Sequence, residues 1–257
     1  MLVDSHCHLD YYVEADIADV IARAKEAGIG RMVTIGTRFA QAVQVKALTE
    51  RFDCVLGTVG IHPHNVGEGP LPSAEALATL ADHPRIIGLG ESGLDYFYDK
   101  APRDAQAESF RNHIRAAQLT SLPLAIHARQ ADEDIASILA EERERGGAFP
   151  FLLHCFSGGR ALAQRAVAMG GYVSFSGILT FPKSDELRDI ARDIPSDRLL
   201  VETDAPFLAP VPFRGKLCEP AMVAHTAKVL ASVRGMEIAA LEALTTCNFE
   251  TLFKKAA

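Results

Sequence analysis

The chain has 257 residues, 48% of them hydrophobic and 23% charged, an ordinary globular balance with length enough for a sizeable core. Its 19 Gly and 13 Pro exclude a collagenous or low-complexity chain, and no run of about 18 apolar residues is available to span a membrane. A formal net charge of -7 excludes a protein that holds nucleic acid by bulk charge alone, yet allows a polyanion gripped through metal ions and a few local arginines.

The first segment, MLVDSHCHLD, places Asp4, His6 and His8 where a secretory leader needs a basic start and an apolar stretch, so export by that route is not expected. It contains a strand-like run from Leu2 to Ser5. From Ala15 to Gly28, Ile17, Val20, Ile21 and Ala24 recur three and four apart, which predicts an amphipathic helix with Asp16 as N-cap and Gly28 as stop. Strand-like runs follow from Arg31 to Gly36, Cys54 to Gly60 and Ile86 to Gly90. Helical periodicity returns from Arg103 to Leu119. A run from Pro123 to His127 precedes a helix from Asp132 to Gly147, which closes on Arg143, Arg145 and a double Gly. Runs from Pro150 to His154, Gly171 to Phe175 and Arg198 to Thr203 complete the set, and two last helices start near Glu219 and Met236. This alternation predicts an α/β fold of the (β/α)8 TIM-barrel type, one domain over residues 1–257. An open doubly wound sheet fits less well, because the first βα turn reads DSHCHLD rather than a Gly-rich phosphate loop. The five cysteines, Cys7, Cys54, Cys155, Cys218 and Cys247, are odd in number and form no CxxC pair, as reduced thiols of a cytoplasmic protein would.

Active sites of such barrels lie at the C-terminal ends of the strands. His6 and His8 follow the first strand here, His62 and His64 the third, Glu91 the fourth, His127 the fifth, His154 the sixth and Asp204 the eighth. Six of the nine histidines thus fall on one predicted face. Period-two alternation sets Ala125 with His127, Leu152 with His154, and Leu200 with Glu202 and Asp204. With the larger apolar residues of these strands against the helices, the histidines point into the barrel mouth. Imidazoles and carboxylates converging on one point are transition-metal ligands. Five or six are too many for one tetrahedral zinc, and suit two divalent cations about 3.5–4 Å apart that share a carboxylate and activate a water. Asp204 would take the proton of that water, His62 would contact the phosphate or leaving oxygen, and Glu202 would either orient a ligand histidine or make a plain buried polar contact. His64, His83, His113 and His225 read as structural, and Cys7 and Cys155 as packing residues turned away from the mouth.

The motifs DSHCHLD, GIHPH, GESGLDY, PLAIHAR, HCFSGG, VETDAP, PFRGK and CNFETLF, in that order along nearly the whole chain, resemble the TatD family of metal-dependent hydrolases. The resemblance implies a TIM barrel with a two-metal centre and deoxyribonuclease activity, often 3′-to-5′ exonuclease. By that resemblance His6, His8, Glu91 and Asp204 would serve one metal, and Glu91, His127 and His154 the other, with Glu91 bridging. Two positions depart from the family pattern. Ser92 stands where an apolar residue is usual, a change of packing. Cys218 stands in RGKLCEP where Asn is common, which touches on substrate contacts of the last loop.

A nuclease must also grip a polyanion. The strand-end loops supply Arg38, Lys100, Arg103, Arg129, Arg160, Lys183, Arg214 and Lys216 for phosphates. They supply Tyr96, Phe97, Tyr98, Phe156, Phe181, Phe207 and Phe213 for stacking unpaired bases. Arg129, Arg214, His62 and Tyr96 are the chosen substrate contacts, and Ser157 to Gly159 opens a helix whose N–H groups suit a phosphate. The expected function is therefore a metal-dependent deoxyribonuclease, a 3′-to-5′ exonuclease on single-stranded or frayed DNA. It would use two divalent cations (Zn, Mn or Mg) and no membrane partner. The competing readings are an amidohydrolase-type enzyme cleaving a cyclic amide or an aminoacyl ester, including one on tRNA, and a non-catalytic binding barrel. Oligomeric state is left open, with a monomer compatible.

Overall fold

Alternating apolar runs and amphipathic stretches bury their faces against one another as a ring of parallel strands inside a ring of helices. In the computed structural model, which describes residues 1–256, the strands are β1 Leu2–Cys7, β2 Ile29–Ile35, β3 Val55–Val59, β4 Ile86–Asp95, β5 Leu124–Arg129, β6 Phe151–Leu153, β7 Tyr172–Phe175 and β8 Leu199–Val201. The helices are α1 Ile17–Glu26, α2 Ala42–Arg51, α3 Ala74–Leu80, α4 Arg103–Thr120, α5 Asp132–Gly146, α6 Arg160–Ala168, α7 Asp185–Asp193, α8 Val223–Arg234 and α9 Ile238–Leu252. The strands pair in sequence order, every ladder parallel, which is the expected (β/α)8 barrel. Among the described residues no helix is long and apolar enough to cross a membrane.

The faces fall as the alternation predicts. Leu124, Ile126, Phe151 and Leu153 join the cluster packed under the helices, while Ala125, Leu152 and Leu200 join Val3, Val33, Leu56 and Ile87 inside the barrel. Phe249, Leu252 and Phe253, at the end of the chain, belong to that inner cluster. The seam between β1 and β8 closes beyond the end of β8. His8 N donates to Ala205 O at 2.7 Å, Asp204 N donates to His6 O at 3.0 Å, and Thr203 N donates to the buried Asp4 carboxylate at 2.9 Å. Those bonds draw the first and last strand ends together, and with them His6, His8 and Asp204.

Several strand ends differ from the sequence reading. β6 and β8 stop before His154 and Glu202, because Cys155 N donates to the Glu202 carboxylate at 2.6 Å rather than to a neighbouring strand. β4 instead runs on to Asp95, with a register shift against β5 between Leu89 and Ser92, where Glu91 projects. Glycine makes that shift sterically possible: a Cβ on Gly93, which has φ +147°, would lie 2.0 Å from His127 O. Gly60, just past β3, has the same constraint, since a Cβ there would lie 2.6 Å from Gly90 Cα. Gly60→Ala is therefore expected to lose about 1–3 kcal/mol of stability by forcing β3 and β4 apart. Denaturant unfolding of the two proteins measures it, and an unchanged midpoint would disprove the close-packing account. α1 starts after Asp16 as expected, but the Asp16 side chain makes no capping bond, because a 3-10 turn over Glu14–Asp16 already leads the chain in.

Candidate metal centre

Glu91 sits at the hub of the barrel mouth, 2% exposed, and its two oxygens face different histidines. Oε2 lies 3.4 Å from His6 Nε2 and 3.8 Å from His8 Nε2. Oε1 lies 2.7 Å from His154 Nε2, 2.9 Å from His127 Nδ1 and 3.4 Å from His62 Nε2. Asp204 faces the first pair, its Oδ1 3.4 Å from His8 Nε2 and 3.7 Å from His6 Nε2. Its side chain is 16% exposed against 3% for that of Glu91, so Asp204 is the carboxylate an incoming molecule reaches. All the sequence-predicted ligands thus converge, although they come from five segments up to 198 positions apart (His6 to Asp204).

The imidazoles are held from behind. His127 Nε2 donates to Asp95 Oδ2 at 3.0 Å and His154 Nδ1 donates to Glu202 Oε1 at 3.2 Å, which fixes ring orientation and leaves the opposite nitrogen turned to Glu91. Glu202 thus touches a ligand candidate, His154, and its carboxylate also lies within 4.8 Å of ligand-type atoms of His6 and His154. Asp95 was missed. It also binds His64 Nε2 at 2.8 Å and accepts from Phe97 N and Tyr98 N, so His64 reaches the site through Asp95. The spacing Glu91–Gly93–Asp95, period two at the end of one strand, was the available signal. His113 holds the same region from beneath: buried, it accepts from Ile61 N at 3.1 Å and donates to Ser109 O, and burial pushes its pKa down to about 4.

Donor chemistry and electrostatics fit cations. His6 Nδ1 and Nε2 and His8 Nδ1 are buried without a hydrogen-bond partner among the described residues, an arrangement that costs free energy unless something else binds there. Burial pushes the Glu91 carboxyl up, but the surrounding imidazoles, His154 foremost, hold it well below the usual range. Asp204 is likewise held low against burial, by His8 and His6. Burial lowers His6, and the charge of His154 adds to it. His154 itself is raised well above its ordinary value, because Glu91 and Glu202 outweigh burial. Anions and imidazoles locked together in this way are a proton-for-metal exchange site.

The rim differs more from expectation. Arg129, two residues after His127, has its Nη1 3.2 Å from Ser157 Oγ and its guanidinium over Phe97. Tyr96 lines a cleft of about 540 Å³ together with Arg129, and its hydroxyl donates to Asp134 while Arg103 covers its ring. Arg214 is exposed on the loop after β8 and stacked on Phe181 at 4.1 Å. Arg38, Arg103 and Arg160 are tied to Glu68, Asp99 and Asp193. Phe156 is not a stacking surface, being 2% exposed and packed on Phe175. The Gly159 N–H already donates to Asp132 at 2.7 Å, so the turn at Ser157–Gly159 has one amide fewer for a phosphate. Cys218 is buried and packs in the core. Ser92 is buried too, its hydroxyl unpartnered among the described residues. Tyr11 escaped the sequence reading: it stacks on His8 at 5.0 Å, with Phe207 set edge-on beside it.

A sequence model of the family described as TatD related DNase matches residues 3–254. The uncharacterized metal-dependent hydrolase YcfH of Escherichia coli is 40% identical over 258 residues, covering 98% of this chain and 95% of that protein. The 3′-5′ ssDNA/RNA exonuclease TatD of Shigella flexneri is 33% identical over 244 residues, 93% of each chain. The crystal structure of YJJV, a TatD homologue from Escherichia coli, superposes with a TM-score of 0.91 at 27% identity, over 98% of each chain.

Proposed function

The chain belongs to the TatD-related DNase family of metal-dependent hydrolases, and from that premise we propose that it is a 3′-to-5′ deoxyribonuclease acting on single-stranded or frayed DNA with two divalent cations. The observation that carries this reading is Glu91, a single buried carboxylate with one oxygen toward His6 and His8 and the other toward His127 and His154. His6, His8, Glu91 and Asp204 would hold one cation, and Glu91, His127 and His154 the other. Bound there, two cations supply a nucleophilic water at neutral pH and neutralise charge on the phosphoryl oxygens. The protein's own groups do the rest. Asp204, ionised and open to the mouth, receives the proton of the attacking water. Asp95 and Glu202 keep His127 and His154 from rotating. Arg129 offers its guanidinium to a phosphate at the rim.

The preference for unpaired DNA rests on the same rim. Phe97, Tyr98, Phe207 and Tyr11 are exposed aromatic surfaces, and a base must leave its partner to stack on them. The Shigella relative's naming as an ssDNA/RNA exonuclease points the same way. Initial rates on matched single- and double-stranded oligonucleotides should favour the single strand. Affinity should fall only moderately with salt, since few phosphates meet a cation and the net charge is -7. Equal rates with a steep salt slope would contradict both parts. Nucleotide release set beside a panel of cyclic amides and aminoacyl esters tests the reaction class, and turnover confined to that panel would replace this reading with the amidohydrolase one.

A further inference from the structure

The histidines at the mouth are not equivalent, and the hydrogen bond behind each ring tells which atom it turns to the centre. His127 and His154 each donate rearward to a carboxylate, so the nitrogen facing Glu91 is the one that sheds its hydrogen to become a ligand. His62 is held the opposite way. Its Nδ1 accepts the backbone N–H of His64 at 3.0 Å, and a peptide N–H can only donate. Nδ1 therefore carries no hydrogen, the ring is neutral, and its one hydrogen sits on Nε2. That N–H lies at the centre, 3.4 Å from Glu91 Oε1.

The loop fixes this arrangement. His62 is the N-cap of the 3-10 turn Pro63–Glu68, its own N–H donates to Thr37 O at 3.0 Å, and the Ile61 N–H before it is held by the buried His113. His62, Glu91 and His127 do bring ligand-type atoms within 4.8 Å of one another. Coordination through Nε2 would nevertheless require an imidazolate or strip the His64 N–H of its acceptor. A general base needs the same missing lone pair. What His62 has to give is a hydrogen bond.

We propose that His62 is a catalytic hydrogen-bond donor, neither ligand nor base: its Nε2–H contacts an oxygen of the scissile group, beside Glu91, on which negative charge grows. The substrate named here rests on the phosphodiester reading above. A neutral imidazole keeps its hydrogen throughout this role, so no proton has to be delivered or returned, and a donor already fixed by its own hydrogen bonds costs little reorganisation as charge develops.

Two variants separate the donor from the cap. Asn is among the best N-cap residues, so His62→Asn keeps an oxygen for the His64 N–H but ends short of Nε2. His62→Gln reaches farther with an amide N–H and gives up the cap. For His62→Asn, kcat on a single-stranded oligonucleotide should fall about 10²–10³-fold, with KM, cation content and Tm little changed. His62→Gln should recover part of that rate despite a lower Tm. Loss of one equivalent of metal from the Asn variant would make His62 a ligand and overturn the proposal; near-normal turnover by it would reduce His62 to a cap and do the same. Long-range nitrogen–proton NMR on histidine-labelled protein reads the tautomer without turnover. A bare Nδ1 with a protonated Nε2 is expected, and a protonated Nδ1 at His62 would sink the assignment. If the unmutated protein releases no nucleotide from DNA, the substrate reading has failed, while tautomer and metal content still decide the role of His62.

Discussion

Asp204→Asn should lower kcat about 10²–10⁴-fold while the protein keeps at least one cation and its affinity for DNA, the usual loss when a general base is removed. The replacement leaves a neutral oxygen where Oδ1 now faces His6 and His8, so a ligand atom survives. It takes away the lone pair that can accept a proton at neutral pH. The structure adds a reason why Asp204, rather than Glu91, does this work. Both carboxyls are held ionised by imidazoles, but Glu91 is enclosed by five rings and Asp204 opens to the mouth. His127→Ala should behave differently, losing cation occupancy together with rate and recovering in part when metal is in excess. Metal titration and single-turnover cleavage on both variants make the comparison. Near-normal cleavage by Asp204→Asn at full occupancy would remove Asp204 from the role of base, and His62, its Nδ1 already accepting the His64 N–H, would not take its place.

The ligands were legible because of where strands end. A histidine at the end of one strand means little, but His6, His8, His127 and His154 recur at the ends of β1, β5 and β6, and barrel closure brings all such ends to one place. Alternation then predicted their direction, and the inner cluster of Ala125, Leu152 and Leu200 follows it. Asp95 was hidden by a different cause. Its strand was expected to stop near Gly90, and only the glycines at 90 and 93 let β4 shift register and continue. Rim residues were the least legible. Arg38 and Arg160 look like phosphate ligands in a loop, yet each meets a carboxylate from another segment, a pairing that no local pattern encodes. Phe156 looked like a stacking surface because it sits in a strand-end loop; after the turn at Cys155, with φ +42°, it lies in the core instead.

Glu91→Gln should bring the cation content down from two to one or none and take hydrolysis to the level of the uncatalysed assay, a loss of at least about 10⁴-fold, since water left without its cations keeps a pKa of about 15.7. An amide has one ligand oxygen where the carboxylate has two, and the two oxygens of Glu91 serve different histidine pairs. Whichever way the amide turns, an N–H₂ group faces one pair and offers it no lone pair. Glu202→Gln is the control that separates a shared ligand from a supporting carboxylate. Its amide oxygen still accepts from Cys155 N and from His154 Nδ1, so orientation weakens without being lost. That variant should bind metal about 10–100-fold more weakly and regain activity as metal is raised. Glu91→Gln should regain none at any concentration. Elemental analysis and titration of both variants with manganese and zinc, followed by oligonucleotide cleavage at each point, give the result. Two cations retained by Glu91→Gln with measurable turnover would show that the bridging carboxylate is not what holds the pair together.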